Sequence, residues 1–170
     1  ALPIAQEDLR IRGHAVELRV NAEDPMEGFL PSVGTLSVYR PPQGAQVRLD
    51  DGYTEGMDIP IYYDPMIAKL ITYGATREEA CHYMRQAIRD FQIEGVATTL
   101  PFGAFVFQHE AFLGGQFDTG FVKRYFKPDL IREERREEAQ VAAELALWLY
   151  ESEKEQLKVP ENNSEHWDQR

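Results

Sequence analysis

Residues 74–76 divide this chain into two kinds of pattern, and that division limits the fold more than any other feature. Before Gly74 the apolar residues alternate or gather in short branched and aromatic runs. After Thr76 they recur every third or fourth residue. Strands first and helices afterwards predict an α+β domain with a small antiparallel or mixed sheet, not a βαβ series.

In the strand half, "GHAVELRVNAEDP" (13–25) places His14, Val16, Leu18 and Val20 on one face and Ala15, Glu17, Arg19 and Asn21 on the other. A half-buried strand needs that alternation. Turn formers make 23–34 a surface excursion. "TLSVYR" (35–40) and "QVRLD" (46–50) read as strands separated by the turn "PPQGA". Pro65 interrupts 59–74 and leaves "MIAKLITY" as the best-defined strand.

In the helical half, Thr76 followed three residues later by Glu79 is a capping-box signature for a helix over 76–91. Its core face is Ala80, Met84 (or Tyr83), Ala87, Ile88 and Phe91, and Gly95 offers a stop. A second helix starts near Pro101 and carries Phe102, Phe105 and Val106. After the glycine-punctuated return "GGQFDTGF" (114–121), residues 130–158 read as one long helix. Its charges pair at three and four residues, and Val141, Leu145, Trp148 and Leu149 form an apolar stripe. The resulting division is a domain at 1–126, a helical connector at 127–158 and a mobile polar tail at 159–170.

A formal net charge of −11 argues against binding a nucleic-acid backbone, which needs a basic stripe. No apolar run reaches the length of a membrane span. Cys81 is the single cysteine, so no internal disulfide forms and a reducing compartment is expected. On a helix it reads as an inert packed thiol. No Cys/His set has metal spacing, and there is neither a phosphate-cradling glycine loop nor a nucleophile elbow. The start, "ALPIAQEDLRIRG", has no signal-peptide character and reads as the middle of a longer polypeptide.

Taken by themselves, the polar candidates have plain alternatives. Arg19 suits a surface ion pair with Glu17 or Glu23, Asp64 a turn cap, and Lys69 and Arg48 solvated strand positions. His14 suits a satisfied core histidine, and Thr119 a glycine turn.

Five blocks in order change that balance. They are "QEDLRIRGHAVELRVNAEDP" (6–25), "FLPSVG" (29–34), "IYYDPMIAKLITYG" (61–74), "TREEACHYMRQAIRDFQIEGVATTLPF" (76–102) and "FDTGF" (117–121). Together they resemble the C-terminal domain of biotin carboxylase, over about residues 3–126. The resemblance implies a half-barrel-type α+β domain with two packed helices, followed by the long C-terminal helix. It implies part of an ATP-grasp ligase that carboxylates biotin, held on a carrier domain, at N1′. ATP, magnesium and bicarbonate would be bound mainly by preceding domains, so the chain would be inactive alone.

Residue by residue, the resemblance places Arg19 against the ureido oxygen of biotin, with Glu17 and Asn21 orienting it and Asp64 in support. Thr119 falls on the nucleotide side, and Arg48 on a dimer surface. No metal ligand is assigned. The implied partners are the N-terminal ATP-grasp region, a biotin carboxyl carrier domain, a carboxyltransferase and a second copy. The implied location is the cytoplasm, or the mitochondrial matrix in a eukaryote. Pro65 resembles the propionyl- and methylcrotonyl-CoA members more than the acetyl-CoA or pyruvate members. The alternatives are a non-catalytic interaction module docking a partner through helix 130–158, and an ATP-grasp ligase with another acceptor.

Overall fold

The computed structural model describes residues 3–60, 62 and 64–156, and two compact units divide the chain between Ile131 and Arg132. In the first unit, strand β1 (His14–Asn21) leads into a small hairpin of β2 (Glu23–Asp24) and β3 (Leu30–Pro31). Four further strands follow: β4 (Gly34–Thr35), β5 (Val38–Arg40), β6 (Val47–Asp51) and β7 (Asp58–Ile59). The strand half ends with β8 (Met66–Gly74), the longest strand. Helix α1 (Arg77–Asp90) opens the second half, a short strand β9 (Gln92–Glu94) follows, and then come α2 (Leu100–Gln108), α3 (Glu110–Leu113) and α4 (Phe121–Tyr125). The last element is α5 (Pro128–Gln156). Residues 157–170, which hold the end of the expected helix and the expected mobile tail, lie outside the described residues.

The principal sheet is fully antiparallel, in the order β1-β8-β6. The alternation of β1 is realised: Val16 and Val20 are buried, whereas Glu17 and Arg19 face outward on the other side of the strand. Val20, Ile67 and Leu70 turn their side chains into a core covered by Ala80, Cys81, Met84, Ala87 and Ile88 of α1. The fold class is therefore the expected α+β.

Helix α1 begins where its capping signature puts it. Thr76 Oγ1 accepts from the Glu79 amide at 3.2 Å, and Glu79 Oε2 accepts from the Ala75 amide at 2.8 Å. The return bond thus goes one residue before the cap. Cys81 is 1% exposed, and burial pushes its thiol up from the ordinary range.

Two local expectations change. The segment 35–40 is two strand pieces broken at Leu36–Ser37, because β4 pairs with β7 while β5 pairs with β9. Gly95 does not stop α1, which ends at Asp90; it turns the chain after β9. At φ +99° a Cβ on Gly95 would collide with the carbonyl oxygen of Thr35. The 23–34 excursion lies at the surface as expected, and within it Gly28 and Phe29 are both left-handed, at φ +67° and +64°. Such a backbone costs a non-glycine residue roughly 1–2 kcal/mol. The Phe29 ring meets Phe102 edge-on at 5.0 Å and lies 5.8 Å from Phe126, contacts that offset the strain.

In α5, Ile131 is buried, while Val141, Leu145, Trp148 and Leu149 are exposed along the helix. Among the described residues no helix is long and apolar enough to cross a membrane.

Candidate functional site

The outer face of the principal sheet carries a set of charges fixed by strand register. Arg19 of β1 lies opposite Lys69 of β8, and Lys69 lies opposite Asp50 of β6. One step along, Glu17 lies opposite Ile71, and Ile71 opposite Arg48. Because side chains alternate across a strand, all of these stand on the face turned away from α1.

The cations on this face differ in how firmly they are held. Arg48 grips Asp50 with two bonds, from Nε at 2.8 Å and from Nη2 at 3.0 Å. That guanidinium holds the Asp50 carboxyl below the ordinary carboxylate range. Lys69 Nζ stands 3.8 Å from the same carboxylate. The Arg19 side chain is 72% exposed, and among the described residues its one ion pair is a loose 3.8 Å contact from Nε to Glu17. Arg19 therefore keeps most of its donors directed at solvent, within reach of an incoming acceptor.

Glu17 and Asn21 flank Arg19 on the same strand face, as the sequence predicts. Glu17 touches the guanidinium, whereas Asn21 Nδ2 donates to Glu23 at 3.3 Å instead. Asp64 is exposed, and its Oδ1 accepts from the Met66 amide at 3.0 Å, capping the start of β8. Thr119 is exposed on a turn in which Asp118 accepts from the Gly120 amide and from Arg124, each at 2.8 Å. His14 is half-buried, with Nε2 3.4 Å from Nη1 of Arg77. Arg77 also donates to the carbonyl of Phe112 at 2.7 Å, with its guanidinium 4.9 Å from that ring. These contacts join the start of β1 to α1 and α3.

A residue that sequence reasoning did not single out fixes the backbone under Arg19. Thr99, 6% exposed, precedes α2 and meets the free edge of β1. Its hydroxyl donates to the carbonyl of Arg19 and accepts from the amide of Asn21, both at 3.0 Å. Its own amide donates to the carbonyl of Asn21, also at 3.0 Å. The register of β1 against β8 shifts between Val20 and Asn21, so this grip falls on a β-bulge.

A cleft is present on another part of the domain. A cleft of about 350 Å³ lies between the 43–47 turn and α1, lined by Gln46, Tyr83, Gln86, Arg89 and Asp90 among others. Neither Arg19 nor its neighbours line it. Among the described residues no three His, Cys, Asp or Glu side chains form a set able to hold a metal ion.

Comparison with known proteins agrees with this fold. The profile of the biotin carboxylase C-terminal domain matches residues 17–124. Biotin carboxylase 1 of Bacillus subtilis is 48% identical over 124 residues, covering 73% of this chain and 28% of that protein. The propionyl-CoA carboxylase alpha chain of Ruegeria pomeroyi is 43% identical over 141 residues, covering 71% of this chain and 21% of that one. Among solved structures, the biotin carboxylase domain dimer of the Hydrogenobacter thermophilus 2-oxoglutarate carboxylase was determined with MgADP, ADP and bicarbonate. It superposes with a TM-score of 0.72 at 39% identity, over 73% of this chain and 27% of that one. The chain thus spans about a quarter of the length of these relatives. On the match of sequence and fold together, this chain belongs to the biotin carboxylase C-terminal domain family.

Proposed function

We propose that this chain serves as the C-terminal domain of a biotin carboxylase, an ATP-dependent ligase that carboxylates carrier-bound biotin at N1′ with bicarbonate. The observation that carries the reading is Arg19: a charge on a rigid strand, 72% exposed and only loosely paired. Biotin is the substrate, delivered on a separate carrier domain. Loss of its N1′ proton drives negative charge onto the ureido oxygen. A fixed guanidinium can meet that oxygen with parallel N–H donors. Donors so placed are worth roughly 3–4 kcal/mol in the transition state. Glu17 stands 3.8 Å from the guanidinium on the same strand, and Asn21 ends that strand beside it.

Nucleotide, magnesium and bicarbonate belong, in this reading, to other segments of the enzyme, with Thr119 on the nucleotide side and Asp64 in support. A relative of known structure holds MgADP and bicarbonate and is a dimer, which supports both parts of this assignment. Arg48, exposed on β6, is the charge proposed for the dimer surface. The exposed stripe Val141, Leu145, Trp148 and Leu149 supports α5 as an assembly element toward the carrier or carboxyltransferase parts. The acceptor that finally receives the carboxyl group is chosen by that carboxyltransferase.

The test is biotin-dependent ADP release by the whole carboxylase that contains this domain. Arg19→Ala should lower turnover by about 10²–10³. Turnover near that of the unmodified enzyme would remove Arg19 from the mechanism.

A further inference from the structure

We infer that Thr99 is a positioning residue for the reaction: it fixes the direction of Arg19 by clamping the strand edge on which Arg19 stands. The inference rests on the biotin carboxylase reading and deepens it.

β1 is an edge strand of the principal sheet, with β8 on one side only. An edge leaves every second residue with an amide and a carbonyl facing outward, unpaired by any ladder. At Arg19 and Asn21 those outward groups are taken by a single residue about 80 positions away in sequence. The Arg19 carbonyl accepts from Thr99 Oγ1, the Asn21 amide donates to the same oxygen, and the Asn21 carbonyl accepts from the Thr99 amide. Thr99 acts as one residue of a missing neighbour strand.

The placement coincides with the irregularity. β1 pairs with β8 residue for residue from His14 to Val20, and the register slips before Asn21. The slip comes from one extra residue in β8, Ile67, which disrupts the ladder beside Val20 and Asn21. Three bonds from a buried residue hold β1 from its other edge at that point. Among the described residues the side chain of Arg19 has no comparable restraint, its one ion pair there being 3.8 Å long. Its direction is therefore set mainly by the backbone beneath it. A hydroxyl that donates and accepts at once is needed for this arrangement. Serine keeps both functions, whereas valine keeps the shape and loses both.

The experiment compares four variants of the whole carboxylase containing this domain: Thr99→Val, Thr99→Ser, Arg19→Ala and the double variant Thr99→Val with Arg19→Ala. Steady-state ADP release is measured against biotin concentration, and thermal unfolding establishes that each variant is folded. A misaimed charge-stabilising group should cost roughly tenfold in kcat for Thr99→Val, with a smaller change in the KM for biotin. Thr99→Ser should return to within about twofold of the unmodified enzyme. In the Arg19→Ala background, Thr99→Val should add no further loss, since the group it positions is gone. The inference is overturned if Thr99→Val has full turnover. It is equally overturned if the loss is the same with and without Arg19, which marks a general structural effect, or if serine fails to rescue. If Thr99→Val does not fold, Thr99→Ser becomes the deciding variant: a kcat near normal supports the inference, and a kcat far below normal overturns it. Full turnover in Arg19→Ala alone would overturn the underlying reading as well. A severe loss there, with none in Thr99→Val, would spare that reading and remove only Thr99.

Discussion

Substituting Gly103 by alanine sets two effects of known sign against each other. Gly103 is buried inside α2, where alanine in place of glycine favours the helix by about 0.8–1 kcal/mol. A Cβ at that position, however, would stand 2.5 Å from Cδ2 and 3.2 Å from Cδ1 of Leu18, and 3.5 Å from Cδ1 of Ile88. Ordinary carbon contacts begin near ~3.5 Å. The Ile88 contact is therefore acceptable, while the Leu18 contact is about 1 Å too short. Overpacking of this kind costs roughly 1–3 kcal/mol, so the steric term outweighs the propensity. Gly103→Ala should destabilise the domain by about 1–2 kcal/mol net, moving the urea midpoint down by roughly half to one molar. The sign should reverse when the obstacle is removed. In a Leu18→Ala background only the propensity remains, and Gly103→Ala should stabilise by up to about 1 kcal/mol. Equilibrium urea unfolding of the four chains measures both steps. Stabilisation in the unmodified chain, or equal destabilisation in both backgrounds, would refute the claim that α2 and β1 meet through Gly103 and Leu18.

Two further outcomes follow from local geometry. Gly115, at φ +71° with nothing near its would-be Cβ, should lose only about 1–2 kcal/mol on mutation to alanine. Gly95→Ala should lose clearly more by urea unfolding, because its Cβ collides with the Thr35 carbonyl, and equal losses would refute the collision. Asp118 is held below the ordinary carboxylate range, first by Arg124 and then by the Gly120 amide. With the folded value below the unfolded one, its stabilisation is present at neutral pH and fades as pH falls through and below that range. Carboxyl NMR should show Asp118 titrating low, and Arg124→Gln should raise its midpoint; an unchanged midpoint would count against the pair.

Legibility in the sequence followed the range of the interactions. β1 and α1 could be read because each carries its own signal: alternation in one, and in the other a cap made between residues three apart. β9 could not, since three residues after a helix become a strand only because Val38–Arg40 lies alongside. The break at Leu36–Ser37 has the same origin: both halves look like one strand until two different partners claim them. On the outer face of the sheet, the exposed placing of Arg19 was legible from the alternation of its strand. Thr99 was not, because hydrogen bonds spanning 78 and 80 residues leave no local pattern. Its single visible clue was its place just before Leu100-Pro101, where an N-cap is expected. The structure shows no side-chain cap there, since the hydroxyl is committed to β1.

The opposition of Arg19 and Lys69 has a consequence for how the face meets other molecules. Like charges directly across a sheet destabilise it by a few tenths of a kcal/mol to about 1 kcal/mol. A glutamate at position 69 would relieve that cost and would also quench the arginine. With lysine there, Arg19, Lys69 and Arg48 outnumber Glu17 and Asp50 on a chain whose formal charge is −11. Within the ~8 Å over which charges act at physiological salt, this face of the sheet is therefore locally cationic. On the proposed reading, a neutral head group on a tether would meet these cations only at contact, which makes recognition on this face a short-range event.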